Sequence, residues 1–147
     1  MISPYNDEYF MRQALIEARH ASSLNEVPVG AVIVCKNQII ARGHNLTETL
    51  TDVTAHAEIQ AITAASQYLG AKYLKNCTLY VTLEPCCMCA GALYWSQIEK
   101  IVYGARDERG AGKHEKSLYH PSTLVVNGIL QEECSLLIKD FFASKRK

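Results

Sequence analysis

Apolar residues follow two alternating spacings along the 147-residue chain. From Asp7 to about Ser22 they recur every three or four positions, which predicts an amphipathic first helix. From about Thr54, the alanine-rich stretch TAHAEIQAITAASQYLG predicts a second helix that ends at Gly70, because glycine is favoured just after a helix. The stretch CMCAGALYWSQ after Pro85 predicts a short third helix, and QEECSLLIKDFFASK predicts a final one.

The intervening stretches are typical of β-strands. VGAVIVC and IIARGHN flank the turn KNQ and predict a hairpin, whose first strand is nearly all apolar and should be buried on both faces. CTLYVTLE, KIVYGA and TLVVNGI predict three further strands, and residues 107–123 predict a polar loop. Strands that alternate with helices predict one layered α/β domain over residues 1–147, with helices covering a mixed sheet.

The start of the chain is polar and periodic, and no run of eighteen apolar residues occurs, so we expect a soluble cytoplasmic protein with no membrane partner. Thiols stay reduced in that compartment, which makes clustered cysteines metal ligands or catalytic groups rather than disulfides. Fifteen basic residues balance fifteen acidic ones, so net charge neither supports nor excludes a nucleic-acid partner. A local basic patch or a solvated surface are equally compatible with the scattered cations, which are Lys100, Arg106, Arg109, Lys113, Lys116 and the KRK at 145–147.

The candidate chemistry lies in PCCMC at 85–89 and HAE at 56–58, each at the start of a predicted helix. Helical residues three apart share a face, whereas neighbours diverge by about 100°. Cys86 and Cys89 can therefore bind one ion, and we expect Cys87 to point into the packing between elements. His56 brings the number of protein ligands to three.

Three protein ligands and one open position are typical of a catalytic zinc site. The alternatives are a structural zinc site, for which His44 is a candidate fourth ligand, and a redox C-x-x-C pair, which leaves HAE without a role. Glu58 is two residues from His56, and near a helix start its long side chain can reach the open position as a general acid and base. Its alternative role is an acidic charge that favours the helix N-terminus.

The order H-x-E and then P-C-x-x-C, at His56, Glu58, Pro85, Cys86 and Cys89, resembles the zinc-dependent cytidine and nucleobase deaminase superfamily. Further segments, among them EVPVGAVIV, LYVTLEPC, MCAGAL and VYGARD, resemble the bacterial tRNA-specific adenosine deaminases over nearly the whole chain. The resemblance implies a three-layer α/β/α cytidine deaminase-like fold around a central five-stranded mixed sheet. It also implies Zn²⁺ as cofactor, a homodimer, and hydrolysis of adenosine to inosine at the wobble position of a tRNA anticodon by a zinc-activated hydroxide.

The same resemblance implies three substrate-binding residues. Asn45 matches an asparagine that hydrogen-bonds the flipped base, with a turn residue as the alternative, and Asp107 matches a position near the substrate nucleotide, with a loop cap as the alternative. Phe142, with Phe141, matches a terminal aromatic pair that lines the RNA path or packs in the core. Two other functions stay open: a deaminase of a free nucleobase or nucleoside, of guanine or cytosine type, and a non-catalytic structural zinc module.

Overall fold

The structure, a computed structural model, describes residues 5–145. Two of the basic residues considered above, Arg146 and Lys147, lie outside the described residues. The helices and strands follow one another as α1 Asp7–Ser23, β1 Gly30–Cys35, β2 Gln38–His44, α2 Ala57–Leu69, β3 Cys77–Leu83, α3 Cys87–Ser96, β4 Lys100–Ala105, β5 Leu124–Asn127 and α4 Gln131–Lys145. None of these helices has the length and apolar character needed to cross a membrane.

The five strands form one mixed sheet in the order β2-β1-β3-β4-β5. Strand β1 is antiparallel to both of its neighbours, whereas β3, β4 and β5 run parallel. One apolar cluster joins the sheet to α1 and α4, and a second joins the opposite face to α2 and α3. The predicted three-layer α/β/α fold with a five-stranded mixed sheet is thereby confirmed.

Strand β1 is buried on both faces, as its nearly continuous apolar sequence predicts. Val32 packs in the cluster with α1 and α4, and Ile33 packs in the cluster with α2 and α3. Successive side chains of a strand point to opposite faces, so a central strand with two covered faces needs apolar residues at every position.

Helix α2 begins at Ala57, three residues later than the predicted start at about Thr54. The delay has a local cause, because the backbone N–H and the hydroxyl of Thr54 both donate to Asp52 Oδ1 at 2.8 Å and hold a turn there. His56 is consequently the extended residue just before α2, and Cys86 occupies the same position just before α3. Both helices thus start immediately after a predicted metal ligand.

Gly43 lets α2 pack directly on β2. A Cβ atom at this position would lie 2.5 Å from the carbonyl oxygen of Ala57 and 2.9 Å from the backbone nitrogen of Ala61. We expect Gly43→Ala to lower the free energy of unfolding by about 1–3 kcal/mol, since backbone atoms must move to admit the methyl group. Urea unfolding measures the change. The control is Gly91→Ala in α3, where an added Cβ meets nothing within 4 Å; equal losses in both variants would contradict the packing argument.

Candidate active site

Three predicted metal ligands meet where α2 and α3 begin. The Nδ1 atom of His56 lies 3.6 Å from Cys86 Sγ and 3.5 Å from Cys89 Sγ. All three ligand atoms lie within 4.8 Å of one another, although thirty residues separate His56 from Cys86. The two helices cover the same face of the sheet, which is why ligands so distant in sequence converge.

The arrangement fits a tetrahedral zinc ion. Bonds of about 2.3 Å to sulfur and about 2.0–2.1 Å to nitrogen at a tetrahedral angle require the nitrogen and sulfur atoms to lie about 3.6 Å apart. Both observed distances, 3.6 and 3.5 Å, agree with this requirement. No fourth His, Cys, Asp or Glu of the described chain joins the group. His44 lies elsewhere, with its Nδ1 atom 3.4 Å from Glu17 Oε1.

The electrostatics of the site favour a thiolate at Cys86. Hydrogen bonds from the Cys89 thiol and from His56 lower the pKa of Cys86 to about 3. The hydrogen bond to Cys86 in turn raises the pKa of His56, and the Cys86 thiolate raises the pKa of Cys89. The start of α3 adds partial positive charge at the same place. Without metal, the three predicted ligands therefore include one thiolate, that of Cys86. A bound divalent cation would favour a second thiolate at Cys89.

Cys87 takes no part in the cluster, as the helical geometry predicts, but its expected burial is wrong. Its side chain is exposed at the start of α3, whereas Cys89 is buried. A position one residue away from a ligand is rotated by about 100°, and on this short helix that direction leads to solvent rather than to a neighbouring element.

Glu58 lies in the first turn of α2, and its residue is only 3 % exposed. Burial raises the pKa of Glu58 to about 7, while its closeness to His56 opposes this increase. The carboxyl group also interacts with the Cys89 thiol, so the side chain reaches the predicted metal ligands from the neighbouring helix. A carboxyl group whose pKa lies near neutrality can both accept and donate a proton at physiological pH.

This raised pKa predicts a pH-dependent stability for the metal-free protein. The folded protein binds the Glu58 proton more tightly than the unfolded chain, so the stability linked to this proton is present below pH 4.5 and is lost as the pH rises through about 7. Above pH 7, chelator-treated Glu58→Gln should therefore exceed the wild type in free energy of unfolding by about 3 kcal/mol, with no such gain near pH 4.5. Denaturant unfolding at several pH values measures this difference, and Glu115→Gln, at an exposed position, is the control. An equal gain in stability at all pH values would contradict the prediction.

A cavity of about 780 Å³ opens beside the ligands and is lined by His56, Glu58 and Cys86. The three predicted substrate-binding residues, Asn45, Asp107 and Phe142, also line it. Asn45 is buried, with Oδ1 3.4 Å from the backbone nitrogen of Thr47. Phe142 is 38 % exposed on α4, and Phe141 packs edge-on against it at a centroid distance of 5.4 Å.

The residues after β4 form one side of this cavity. Asp107 Oδ1 accepts a hydrogen bond of 3.1 Å from the backbone N–H of Arg109, so Asp107 caps its loop as well as facing the cavity. Arg106 and Arg109 also line the cavity, and both are exposed. Lys100, at the opposite end of β4, instead pairs with Asp7 at 3.2 Å, so the basic patch does not extend that far.

Two buried carboxylates have no counterpart in the sequence predictions: Glu84 lines the cavity, and Glu26 directly precedes the lining residue Val27. Glu26, 1 % exposed, accepts hydrogen bonds from the backbone N–H groups of Glu48 at 3.1 Å and Thr49 at 2.6 Å. Glu84, 6 % exposed, accepts from the backbone N–H groups of Asp107 at 3.0 Å and Gly112 at 2.8 Å. In the sequence, each of them is a single acidic residue at the border of an apolar run. Acidic residues are common at the ends of ordinary strands, so this pattern did not distinguish them.

The fold and this site define a class of protein. The model of the cytidine and deoxycytidylate deaminase zinc-binding region matches residues 4–105, and the chain belongs to this family. Zinc binding is a property of the family, and the fit of His56, Cys86 and Cys89 to a zinc ion agrees with it.

Within the family, the tRNA-specific adenosine deaminases are similar to the chain over almost its full length. That of Bacillus subtilis is 44 % identical, covering 96 % of this chain and 91 % of the relative. A solved structure from work on A-to-I editing by tRNA:A34 deaminases at the wobble position is 42 % identical, with a TM-score of 0.82, over 88 % of this chain and 98 % of the other. The guanine deaminase of B. subtilis is 39 % identical, with a TM-score of 0.68, over 76 % of this chain and 72 % of the other.

Proposed function

We propose that the protein is a zinc-dependent hydrolase that converts adenosine to inosine at the wobble position of a tRNA anticodon. The observation that carries this proposal is the similarity to tRNA-specific adenosine deaminases, which is 44 % identity over 96 % of the chain for that of Bacillus subtilis. The guanine deaminase of B. subtilis is also similar, but at a lower identity of 39 % and over 76 % of the chain.

The cavity has room for a base with its ribose and is lined in part by exposed cations. Its volume of about 780 Å³ lies in the upper part of the usual range for small-molecule pockets, roughly 300–1,000 Å³. Three cations line it, Arg106, Arg109 and Lys139, and all three are exposed. Exposed cations around a pocket suit contacts with the phosphates that flank a flipped nucleotide. The same lining contains the exposed carboxylate of Glu108 and the half-buried Asp107, so among its exposed residues the cations outnumber the carboxylates by three to one.

In this proposal His56, Cys86 and Cys89 hold the zinc ion through one nitrogen and two sulfur atoms. The bound ion supplies Lewis acidity, which makes a nucleophile from water at neutral pH. The absence of a fourth protein ligand within residues 5–145 argues against a purely structural zinc module, because structural sites are closed by four protein ligands. The contacts of His56 with both sulfur atoms likewise give HAE a role that a redox pair would not.

Glu58 moves protons in the proposed reaction. It accepts a proton from the attacking water and delivers it to a ring nitrogen of the adenine, while the oxygen of the water forms a bond to C6. It then takes the proton of the new C6 hydroxyl group and gives it to the amino group, so that the C6–N bond breaks, ammonia leaves and the carbonyl of inosine forms. Burial raises the pKa of Glu58 in the metal-free protein, and the charge of a bound cation would oppose this increase and favour the carboxylate that accepts the first proton. Asn45, buried in the cavity wall, offers its side-chain amide to the edge of the base, while Asp107 and Phe142 border the nucleotide.

The test is incubation of the zinc-loaded protein with an anticodon stem-loop that carries adenosine at the wobble position. We expect inosine to form at that position only. Matched substrates are the same stem-loop with adenosine moved to another loop position, and free guanine, cytosine and adenosine. Turnover of a free base or nucleoside without inosine formation in the stem-loop would overturn the proposal in favour of a small-molecule deaminase.

We also propose that the protein acts in the cytoplasm as a homodimer. Trp95, at 75 % exposure, and Tyr94, at 37 %, lie in the last turn of α3 outside the core, and an exposed pair of aromatic side chains suits an interface. Light scattering of the zinc-loaded protein should give twice the chain mass of 16.4 kDa, and the mass of one chain would contradict the dimer.

A further inference from the structure

Glu84 is a buried acidic residue, and burial of a carboxylate costs free energy unless the group is hydrogen-bonded. It follows the last residue of β3 and lies two positions before Cys86, and it is only 6 % exposed. Within residues 5–145, no Lys, Arg or His nitrogen lies within 4.0 Å of its carboxylate oxygens. A buried carboxylate without a cation must be stabilised by hydrogen bonds, and those of Glu84 come from backbone N–H groups.

The two oxygens of Glu84 hold the two ends of one loop. Oε1 accepts from the backbone N–H of Asp107 at 3.0 Å, and Oε2 accepts from the backbone N–H of Gly112 at 2.8 Å. A third contact joins the same segments, since Ala111 N–H donates to the carbonyl oxygen of Pro85 at 2.9 Å. The loop 107–112 is thus attached directly to the segment that carries the metal ligand Cys86.

Glycine makes this close attachment possible. A Cβ atom at Gly110 would lie 2.6 Å from Glu84 Cδ, and one at Gly112 would lie 2.5 Å from Glu84 Oε2. Both distances are shorter than any real Cβ contact, so the loop backbone packs on the carboxylate itself. The match between a buried acceptor and two glycines indicates a built contact rather than a chance approach.

The loop attached in this way begins the wall of the cavity that contains Asp107 and Arg109. We propose that Glu84 is a positioning residue for substrate recognition: by binding both ends of loop 107–112, it holds this wall at a set distance from the metal ligands. This role depends on the proposed function only for the identity of the substrate. Glu84 also lines the cavity itself, but each of its oxygens already accepts a hydrogen bond from the loop, so we assign it the positioning of this loop rather than contact with the substrate.

The first measurement needs no substrate. In Glu84→Gln, an amide NH₂ replaces one acceptor oxygen and faces a backbone N–H, so one hydrogen bond is lost without a change in size. We expect hydrogen exchange at the amides of Asp107 or Gly112, followed by NMR on the zinc-loaded protein, to become about 10- to 100-fold faster. Zinc content should stay at one equivalent. The control Glu115→Gln removes the same charge from an exposed position farther along the chain and should leave both amides unchanged.

The second measurement separates positioning from chemistry. With the substrate that the wild type turns over, Glu84→Gln should raise KM about tenfold and change kcat less than about threefold, because a mobile wall weakens binding more than bond making. Gly112→Ala, which displaces Oε2 from the other side, should have the same effect. The double variant should be no worse than the more impaired single variant, since both changes break one contact.

Unchanged amide exchange in Glu84→Gln and Gly112→Ala would overturn the proposal, and so would a loss of kcat at constant KM or a loss of zinc. Should Glu84→Gln fail to fold, Gly112→Ala alone decides between these outcomes. The exchange result does not depend on the substrate, so a protein that ignores the stem-loop but shows faster exchange refutes the proposed function and keeps the role of Glu84.

Discussion

Replacement of Glu58 by glutamine will reduce deamination about 10²- to 10⁴-fold and leave the zinc content at one equivalent. Glutamine keeps the size of the side chain and one acceptor oxygen, but it cannot carry a proton between water and a base. Glu58 does not belong to the group of three predicted metal ligands, so its replacement should not release the ion. Single-turnover kinetics on the stem-loop, with metal analysis of the same sample, measures both quantities.

The matched control is Glu115→Gln, because Glu115 is exposed and lies outside the cavity lining. Its rate should equal that of the wild type within about twofold, which is the ordinary effect of an exposed substitution. If Glu58→Gln lost its zinc, Glu58 would be a metal ligand and not the proton carrier. If it kept full activity, another group would have to move the proton.

The second large effect is expected from the cysteines. Cys86→Ala should lose nearly all of its zinc and all measurable activity, because two remaining protein ligands leave the ion without one of its two thiolates. Cys87→Ala should keep one equivalent of zinc and near wild-type activity, since the Cys87 side chain is exposed and outside the ligand group. Metal analysis after dialysis measures the difference between two substitutions that are identical in chemistry and adjacent in sequence.

Stability provides an independent measure of the same pair. Metal binding to the folded state adds to the free energy of unfolding, so added zinc should raise the melting temperature of Cys87→Ala and have little effect on Cys86→Ala. An equal loss of zinc in both variants would show that helical geometry does not distinguish a metal ligand at Cys86 from a non-ligand at Cys87.

Much of the fold was accessible from local patterns. Apolar spacing, alanine content, strand-forming residues and the positions of glycine and proline predicted the four helices and five strands, and the burial of β1 on both faces followed from its continuous apolar run. Helix α2 was misplaced by three residues because the turn held by Asp52 and Thr54 competes with an apparently helical sequence. Side-chain hydrogen bonds of this kind are weak signals in a sequence, and they decide where helices begin.

The substrate-binding residues came from family resemblance and remain proposals. The structure brings Asn45, Asp107 and Phe142 to one cavity from three separate parts of the chain. It also shows that Asp107 caps its own loop, so the two roles considered for this residue are compatible. No local pattern predicts such a meeting, because it depends on the order of the strands in the sheet.

By itself the sequence determined the elements of the fold and the choice of Cys86 and Cys89 over Cys87, since both depend on spacing within one helix or strand. Only the tertiary structure decided what depends on distant contacts. It placed His56 within 3.6 Å of both sulfur atoms, exposed Cys87, and buried Glu84 against the backbone of a loop more than twenty residues away. The physical reason is that spacing sets the direction of a side chain, whereas burial and partners depend on which surfaces the folded chain brings together.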